Sequence, residues 1–244
     1  MPLFQTIELD NVDSTNRYLK DYCLESRPQQ AVFCFTKKQT AGYGQQQRSW
    51  LSNNDSATFS LAYPLDVKAK ITGLISLQIA VLLQQTLLEI IPSSTENLYL
   101  KWPNDLFNEQ GKVAGILIEQ IIKKDYRCLI IGIGINRHQE NQKTLIDGAS
   151  SLPMFEINKL FDCFFGKIKS TGLVGFSADD LHNHWQKNDY FKIGEDVRIV
   201  SPKIEQQAYY LGINREGQAK VQIDQQTQLL TSGQTSLRKL ANSS

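Results

Sequence analysis

The chain has 244 residues, of which 41% are hydrophobic and 21% charged, so it can bury a sizeable core in the manner of an ordinary folded protein. Its net charge of +1 at pH 7 gives no general attraction to nucleic acid or to a membrane, which favours a small molecule or another protein as the partner. The sequence has no apolar stretch of bilayer length, no secretory N-terminal segment and no CxxC pair among its four cysteines, and we therefore expect a cytoplasmic protein with reduced thiols.

The first part of the chain alternates predicted strands and helices, which indicates a mixed α/β fold. A short polar side chain, Asp13 or Ser14, is typical of a helix N-terminus and begins the first predicted helix. The main amphipathic helix is predicted within residues 70–91, where apolar positions recur at helical spacing until Pro92 ends it. The predicted strands of this part are residues 3–9, 31–36 and 57–65.

The middle of the chain predicts three further strands, at residues 98–102, 113–122 and 127–136. The last two are apolar throughout, so we expect both to be buried on both faces. Their connections are short, which favours antiparallel pairing over a βαβ crossover. Helices are predicted at residues 156–170 and 178–187.

From about Tyr190 the pattern changes to short strands separated by glycines, which is typical of a small β barrel. We therefore place a domain boundary near residue 189. The prediction is a large α/β domain at residues 1–189 and a small β domain at residues 190–244.

The first cluster with chemical potential runs from Gln39 to Trp50. Gly42 and Gly44 permit close backbone approach, and their exposed amides could cradle a phosphate or a carboxylate. Arg48 adds charge, and Trp50 can stack on a planar ring. A mobile surface loop with an incidental tryptophan explains the same residues equally well.

Two clusters combine a lysine with polar groups at strand ends. Asn104 and Asp105 follow Pro103 in the segment KWPND, although an ordinary Asx turn uses the same residue types. Lys112 opens the strand that contains Gly115, so a cation and a place for close ligand approach coincide. Taken alone, an edge lysine on an ordinary strand is the simpler explanation of the second cluster.

The segment GIGIN superficially resembles a dinucleotide-binding fingerprint. Arg137 stands where the third glycine would be and no helix is expected next, so we reject that interpretation. Asn136 at its end could hydrogen-bond a base or a backbone group. We expect no metal site, because His182 and His184 point to different faces of a helix and His138 is far away along the chain.

Taken together and in order, these clusters resemble the biotin–protein ligase family. KWPND followed closely by K-x-x-G-I-L-x-E is highly specific to that family, and the similar segments extend from residue 14 to residue 238. The resemblance implies an α/β catalytic domain shared with lipoate ligases at residues 1–189 and a C-terminal SH3-like barrel at residues 190–244. Because the catalytic pattern begins at residue 14, we expect no N-terminal DNA-binding domain and no DNA as a partner.

The resemblance also implies a reaction and its participants. The biotin carboxylate attacks the α-phosphorus of ATP, and a lysine of a biotin carboxyl carrier protein of acetyl-CoA carboxylase then attacks biotinyl-AMP. ATP and biotin are the substrates, Mg²⁺ is expected with them, and a homodimer is one option for the assembly.

The implied site residues fall into three groups, each transferred by position. The catalytic residues are Lys112, Asp105 and Arg48, with Asp105 either assisting deprotonation of the acceptor lysine or orienting magnesium. The biotin-binding residues are Ser14, Thr15, Asn16, Gln39, Tyr43, Gly44, Gln45, Lys112 and Gly115. The residues that bind ATP or the adenylate are Arg48, Trp50, Asn104, Asn136 and Arg238.

The loop departs from the family pattern GRGRxGRxW, because this chain has GYGQQQRSW. Gln45 stands where the family has an arginine that helps to retain the adenylate. A charge-assisted contact of that kind is worth roughly 1.5–3 kcal/mol, or about ten- to a hundredfold in affinity. We therefore expect weaker retention of biotinyl-AMP and more labelling of bystander lysines. The alternative functions are lipoate–protein ligation on the same fold and a non-catalytic biotin sensor.

Overall fold

A computed structural model describes residues 4–51, 55–69, 71–91, 97–138, 148–173, 175–201, 205–233 and 235–240. The helices are α1 (Thr15–Ser26), α2 (Leu74–Ile90), α3 (Ile157–Thr171) and α4 (Ala178–Asn188). The strands are β1 (Phe4–Val12), β2 (Ala31–Gln39), β3 (Ala57–Leu65), β4 (Tyr99–Lys101), β5 (Asp105–Phe107), β6 (Lys112–Ile122), β7 (Arg127–Ile135), β8 (Arg137–His138), β9 (Leu152–Pro153), β10 (Asp196–Val200), β11 (Glu205–Ile213), β12 (Ala219–Ile223), β13 (Gln226–Leu230) and β14 (Ser236–Lys239).

These elements form two compact units. The first unit comprises residues 1–71 and 110–157, and the second comprises residues 72–109 and 158–244. Each unit is built from two separate stretches of chain. The predicted boundary near residue 189 stays a prediction.

The first unit is organised around a mixed sheet in which the strands lie in the order β1-β2-β3-β7-β6. β1 and β2 are parallel and are joined through α1, whereas the other neighbouring pairs are antiparallel. The antiparallel pairing predicted for residues 113–122 and 127–136 is therefore confirmed. β3 and β7 lie at the centre of this order, and their β-branched and aromatic side chains fit a pleated, buried surface.

Helix α1 covers one face of this sheet. Leu19 and Cys23 of the helix pack on Val32, Cys34 and other residues of a fully buried cluster. Side chains alternate along a strand, so every second residue of each strand lies on the face that α1 covers. Part of that face extends beyond the helix. That continuation carries the candidate site.

Several sequence predictions agree with these bounds. The strand predicted at residues 57–65 has those bounds in β3, and the predicted helices coincide with α2, α3 and α4 to within a few residues. The expectation that residues 113–122 are buried on both faces is wrong, because Gln120 is exposed and the Ile122 side chain is 63% exposed at the far end of β6. The short strands β5, β8 and β9 were not predicted, since two or three residues cannot display a period. Pro92 lies outside the described residues.

The second unit contains α2, which is apolar nearly all round and correspondingly buried. It also contains a hairpin of β4 and β5 and an antiparallel sheet in the order β13-β12-β11-β10-β14. Within the described residues this sheet is open, so it is not a closed barrel. No helix in the described parts of the chain is both long and apolar enough to cross a membrane.

Candidate ligand-binding site

A patch of sheet without side chains marks the candidate site in the first unit. Gly132 and Gly134 alternate along β7, and Gly115 of β6 is paired with Gly134, so the three glycines share one face. A Cβ added at Gly132 would overlap the carboxamide of Asn16, and one added at Gly134 would overlap the indole of Trp50. This glycine platform (Gly115, Gly132 and Gly134) therefore leaves room for side chains that arrive from α1 and from the loop after β2.

Three polar residues at the start of α1 are buried beside the glycine platform. Ser14 is the N-cap, and its Oγ accepts a hydrogen bond from the backbone N–H of Arg17 at 3.4 Å, as expected for a helix N-terminus. Thr15 donates from its backbone N–H to Oε1 of Gln39 at 2.8 Å, and its hydroxyl oxygen lies 3.0 Å from the same atom. Ser14, Thr15 and Asn16 are each less than 5% exposed, so their polar atoms form a pre-ordered buried cluster.

A continuous chain of hydrogen bonds runs from this cluster across the sheet. Thr15 Oγ1 lies 2.7 Å from Ser60 Oγ, and the Ser60 hydroxyl donates to Asn16 Oδ1 at 2.6 Å. Asn16 Nδ2 in turn donates to Glu119 Oε2 at 3.0 Å. We call these four residues the Thr15–Glu119 chain, and it connects α1, β3 and β6.

Glu119 accepts hydrogen bonds from three donors. Besides Asn16, the Tyr43 hydroxyl donates to Oε2 at 2.7 Å and the Lys20 ammonium donates to Oε1 at 2.9 Å. Burial alone would raise the pKa of this carboxyl group, but the bonds from Lys20, Tyr43 and Asn16 outweigh it and lower the pKa below its ordinary value. Burial and the bond to Glu119 raise the pKa of Tyr43, so at neutral pH a phenol donates to a carboxylate.

The loop between β2 and β3 folds back on itself. The backbone N–H of Trp50 donates to the carbonyl of Gly42 at 2.9 Å, and that of Gly44 donates to the carbonyl of Arg48 at 2.8 Å. A Cβ at Gly42 would lie 2.7 Å from Gln39 Nε2 and 2.8 Å from the Trp50 carbonyl oxygen, so glycine is required for this closure. The loop is thus ordered at its base.

The tip of the loop is a short 3₁₀ turn at Gln45–Gln47. Gln46 and Gln47 have φ values of 56° and 57°, in the left-handed region that costs a residue with a Cβ about 1–2 kcal/mol. Arg48 is exposed, and its Nη2 donates to Gln46 Oε1 at 3.0 Å. In this structure Arg48 therefore hydrogen-bonds to a residue of its own loop.

Lys112 and Trp50 meet over the glycine platform. The Lys112 Nζ lies 5.6 Å from the centroid of the Trp50 ring, within the range of a cation–π contact. A Cβ at Gly115 would lie 2.8 Å from Lys112 Nζ and 3.2 Å from Trp50 Cζ3. The indole Nε1 of Trp50 is buried and donates to no described residue. A cation and a planar ring thus stand side by side, an arrangement that suits an anion joined to a flat base.

Asn136 braces the beginning of β6. Its Nδ2 donates to the carbonyl of Ser150 at 3.0 Å and to that of Lys112 at 3.3 Å, and its backbone N–H donates to the carbonyl of Val113 at 2.8 Å. Among the described residues no donor reaches its Oδ1. The Asn136 side chain therefore fixes the backbone of Lys112 and leaves its Oδ1 able to accept a hydrogen bond from a ligand.

Three of the predicted site residues belong to the second unit. Asn104 is buried, and Asp105 begins β5 opposite Lys101 in the hairpin with β4. The hairpin is anchored by Trp102, which is fully buried, precedes a cis proline and donates from Nε1 to the Gly217 carbonyl at 3.0 Å. Arg238 is exposed on β14.

Sequence reasoning gave no role to Glu119 or Ser60, and it did not assign Gly132 and Gly134 to a platform. The signal for Glu119 was present, because Gly115 and Glu119 are four residues apart on one strand and so share a face. Ser60 carried no such signal, since only the sheet order places it opposite Gly132.

Metal-binding clusters are not found in the described residues, where no three His, Cys, Asp or Glu side chains lie together. The four cysteines, Cys23, Cys34, Cys128 and Cys163, are free thiols. In the second unit His184 Nε2 lies 2.8 Å from Gln84 Oε1, so this histidine serves the packing of α4 on α2.

The mixed α/β fold and the ordered loop over a glycine platform define a protein that binds a small polar molecule on one face of a sheet. The chain belongs to the biotin/lipoate A/B protein ligase family, which it matches over residues 9–136, more than half of its length.

Comparison with individual proteins adds detail. The chain is 26% identical over 238 residues to the bifunctional ligase/repressor BirA of Escherichia coli, with 93% of this chain and 72% of that protein covered. It is 27% identical over 143 residues to the biotin–[acetyl-CoA-carboxylase] ligase of Mycobacterium tuberculosis, covering 58% of this chain and 52% of that protein. The biotin protein ligase of Aquifex aeolicus, solved in complex with biotin and ATP, superposes with a TM-score of 0.73 and 25% identity over 97% of this chain and 99% of that chain.

Proposed function

We propose that this chain is an ATP-dependent biotin–protein ligase. The observation that carries the proposal is the combination, within one unit, of a buried polar cluster at the start of α1 and the Lys112–Trp50 pair over the glycine platform. The first can hold a polar ring system such as the ureido group of biotin, and the second can hold a carboxylate or phosphate next to a base. Similarity to the Aquifex aeolicus ligase, which binds both ligands, supports the same assignment.

The residues that would bind biotin lie along the Thr15–Glu119 chain and the base of the loop. The polar side chains proposed to bind biotin are those of Ser14, Thr15, Asn16, Gln39 and Tyr43. Gly44 and Gln45 of the loop would join them, and Gly115 would lie behind the ligand. Trp50 and Asn136 would contact the adenine, and Arg48, Asn104 and Arg238 would contact the nucleotide. The roles of the second-unit residues are proposed from the sequence match alone.

Lys112 would act on the reacting atoms in the first step. One oxygen of the biotin carboxylate attacks the α-phosphorus of ATP, the bond to the bridging oxygen breaks, and pyrophosphate leaves with that electron pair. Negative charge grows on the α-phosphate oxygens during this step, so a fixed ammonium lowers the barrier. The Asn136 brace supports the role, because it fixes the backbone from which the Lys112 side chain extends.

In the second step the amine of an acceptor lysine attacks the acyl carbon of biotinyl-AMP, loses a proton, and AMP leaves. We propose Asp105 either as the group that assists this deprotonation or as one that orients magnesium. The described residues contain no cluster of three metal-binding side chains, so Mg²⁺ is expected to enter with ATP as part of that substrate.

We further propose a biotin carboxyl carrier protein of acetyl-CoA carboxylase as the acceptor, on the strength of the similarity to the Mycobacterium tuberculosis enzyme. We also propose a cytoplasmic location, the lack of a DNA partner, an SH3-like small domain at residues 190–244 and a homodimer. Sedimentation of the purified chain with and without biotin would test the last of these.

Biotin-dependent exchange of labelled pyrophosphate into ATP tests the function directly. We expect exchange with biotin and none with lipoate, and loss of exchange in Lys112→Ala. Lys124→Ala is the matched control, because Lys124 is exposed in the turn between β6 and β7. Exchange with lipoate instead of biotin would identify a lipoate ligase, whereas tight biotin binding without exchange would identify a sensor.

A further inference from the structure

The direction of the hydrogen bonds in the Thr15–Glu119 chain is fixed at one end. A carboxylate can only accept, so Glu119 requires the Asn16 amide to present Nδ2 to it. Oδ1 of Asn16 must then face Ser60, whose single hydroxyl proton goes to Asn16. As a result the Thr15–Ser60 contact needs the Thr15 proton.

This direction decides what the pocket offers to a ligand. The Asn16 amide has one N–H in the bond to Glu119 and one N–H left to donate, whereas the Thr15 hydroxyl proton is already used within the protein. Thr15 therefore offers a lone pair. A donor beside an acceptor complements a ureido group, which has a carbonyl oxygen and N–H groups.

Lys20 keeps the carboxylate end in place. Its ammonium binds Oε1 of Glu119, while Oε2 serves Asn16 and Tyr43. The Glu119 side chain is only 20% exposed, so its carboxylate has little access to water and is held by these three donors.

We propose that Glu119 is a positioning residue that sets the donor and acceptor pattern of the biotin pocket through Asn16. It acts through Asn16 and Ser60 and does not itself contact the ligand. The inference rests on the proposed function, since it takes the ligand to be biotin.

Glu119→Gln is the critical variant. The Lys20 ammonium would retain the oxygen of the introduced amide, so the NH₂ group of that amide would face Asn16 and Tyr43. Asn16 would then turn over, offer Oδ1 to the new donor and present its lone pair to the ligand carbonyl. We expect the Kd and the KM for biotin to rise about ten- to a hundredfold, with kcat at saturating biotin and the KM for ATP unchanged.

Two further measurements separate this role from a merely structural one. The first is selectivity for biotin over 2-iminobiotin, whose guanidine carries N–H donors where biotin has a carbonyl oxygen. The selectivity, measured as a ratio of Kd values by calorimetry, is expected to fall at least about tenfold in Glu119→Gln. The second is rescue: Lys20→Met added to Glu119→Gln removes the group that orients the amide, so biotin affinity is expected to recover in part.

Asp125→Asn is the matched control, because it removes a carboxylate from an exposed ion pair with Arg27 in the same unit. Should Glu119→Gln fail to fold, Ser60→Ala tests the chain on the other side of Asn16. Glu119 would still hold Asn16, so the selectivity for biotin over 2-iminobiotin is expected to persist even if affinity falls, and its loss would overturn the inference.

The outcomes for the inference and for the function are distinct. Absence of biotin binding by the unaltered chain would refute the proposed function. Binding by the unaltered chain with equal affinity and selectivity in Glu119→Gln would refute only the role of Glu119. Weaker biotin binding by the Lys20→Met, Glu119→Gln double variant than by Glu119→Gln alone would also refute it. In a purely structural network, each further change is expected to lower biotin affinity.

Discussion

Replacement of Gly134 by alanine is expected to displace Trp50 from the sheet. The added Cβ would lie 2.7 Å from Trp50 Nε1 and closer still to two ring carbons, whereas unstrained heavy atoms are about 3.5–4.0 Å apart. The indole must therefore move outward by roughly 1 Å or tilt. Overpacking of this kind costs about 1–3 kcal/mol, which corresponds to about 5- to 150-fold in an equilibrium constant.

The displaced ring should weaken nucleotide binding more than biotin binding. We expect the KM for ATP in pyrophosphate exchange to rise within that range, while the Kd for biotin changes less than threefold, about 0.65 kcal/mol. Tryptophan fluorescence reports the movement directly, because Trp102 and Trp185 are fully buried and Trp50 is partly exposed. A red shift and stronger acrylamide quenching are expected.

Gly166→Ala is the control for this experiment, since a Cβ at Gly166 in α3 would meet no atom within 4 Å. It should leave both ligands and the emission spectrum unchanged. If Gly134→Ala folds with an unshifted spectrum and an unchanged KM for ATP, then the glycine does not determine where Trp50 lies and the reasoning fails.

Three other changes test separate features. Gln47→Gly is expected to raise the thermal midpoint, because φ of 57° strains a residue with a Cβ by about 1–2 kcal/mol, whereas Gln45→Gly, at a position without positive φ, should lower it. Gln45→Arg is expected to reduce self-labelling with biotin and ATP in the absence of a carrier by about ten- to a hundredfold, and equal labelling by both chains would contradict the adenylate-retention hypothesis. Burial raises the pKa of Asp189 to about 7 despite a 2.7 Å hydrogen bond from Tyr210, so its contribution to stability is complete below pH 3.8 and lost as pH rises through 7. The difference between these two pKa values corresponds to at most about 4 kcal/mol in the free energy of unfolding. Denaturant titrations at pH 5 and pH 8 should therefore show a smaller loss of stability in Asp189→Asn than in the unaltered chain.

Much of the fold could be predicted because its elements are set by local patterns. The apolar run at residues 57–65 and the short connection between residues 122 and 127 each carry their own signal, and both predictions agree with the structure. Burial of β6 was predicted wrongly for a related reason. Composition shows that Ile122 prefers to be buried, but only the tertiary structure decides that most of its side chain stays uncovered at the end of this strand.

The candidate site was less predictable, because its contacts join distant parts of the chain. Asn16 is 44 residues from Ser60 and 103 residues from Glu119, and no local pattern relates these positions. Resemblance to a family indicated Asn16 but gave no role to Ser60 or Glu119, whose contribution lies in orienting it. Partner residues of this kind become visible only when the order of the strands is known.

The loop departures from the family pattern now have different physical meanings. Tyr43 stands in place of an arginine, but it gains a half-buried hydrogen bond to Glu119 that ties the base of the loop to the sheet. Gln45 and Gln47 lose a charge and a conformationally free glycine at the tip, and they gain no comparable contact among the described residues. A change at Gln47, a tip residue with no proposed biotin contact, should therefore separate biotin affinity from adenylate retention. Such an enzyme should bind biotin as before and differ in how long it keeps the activated product.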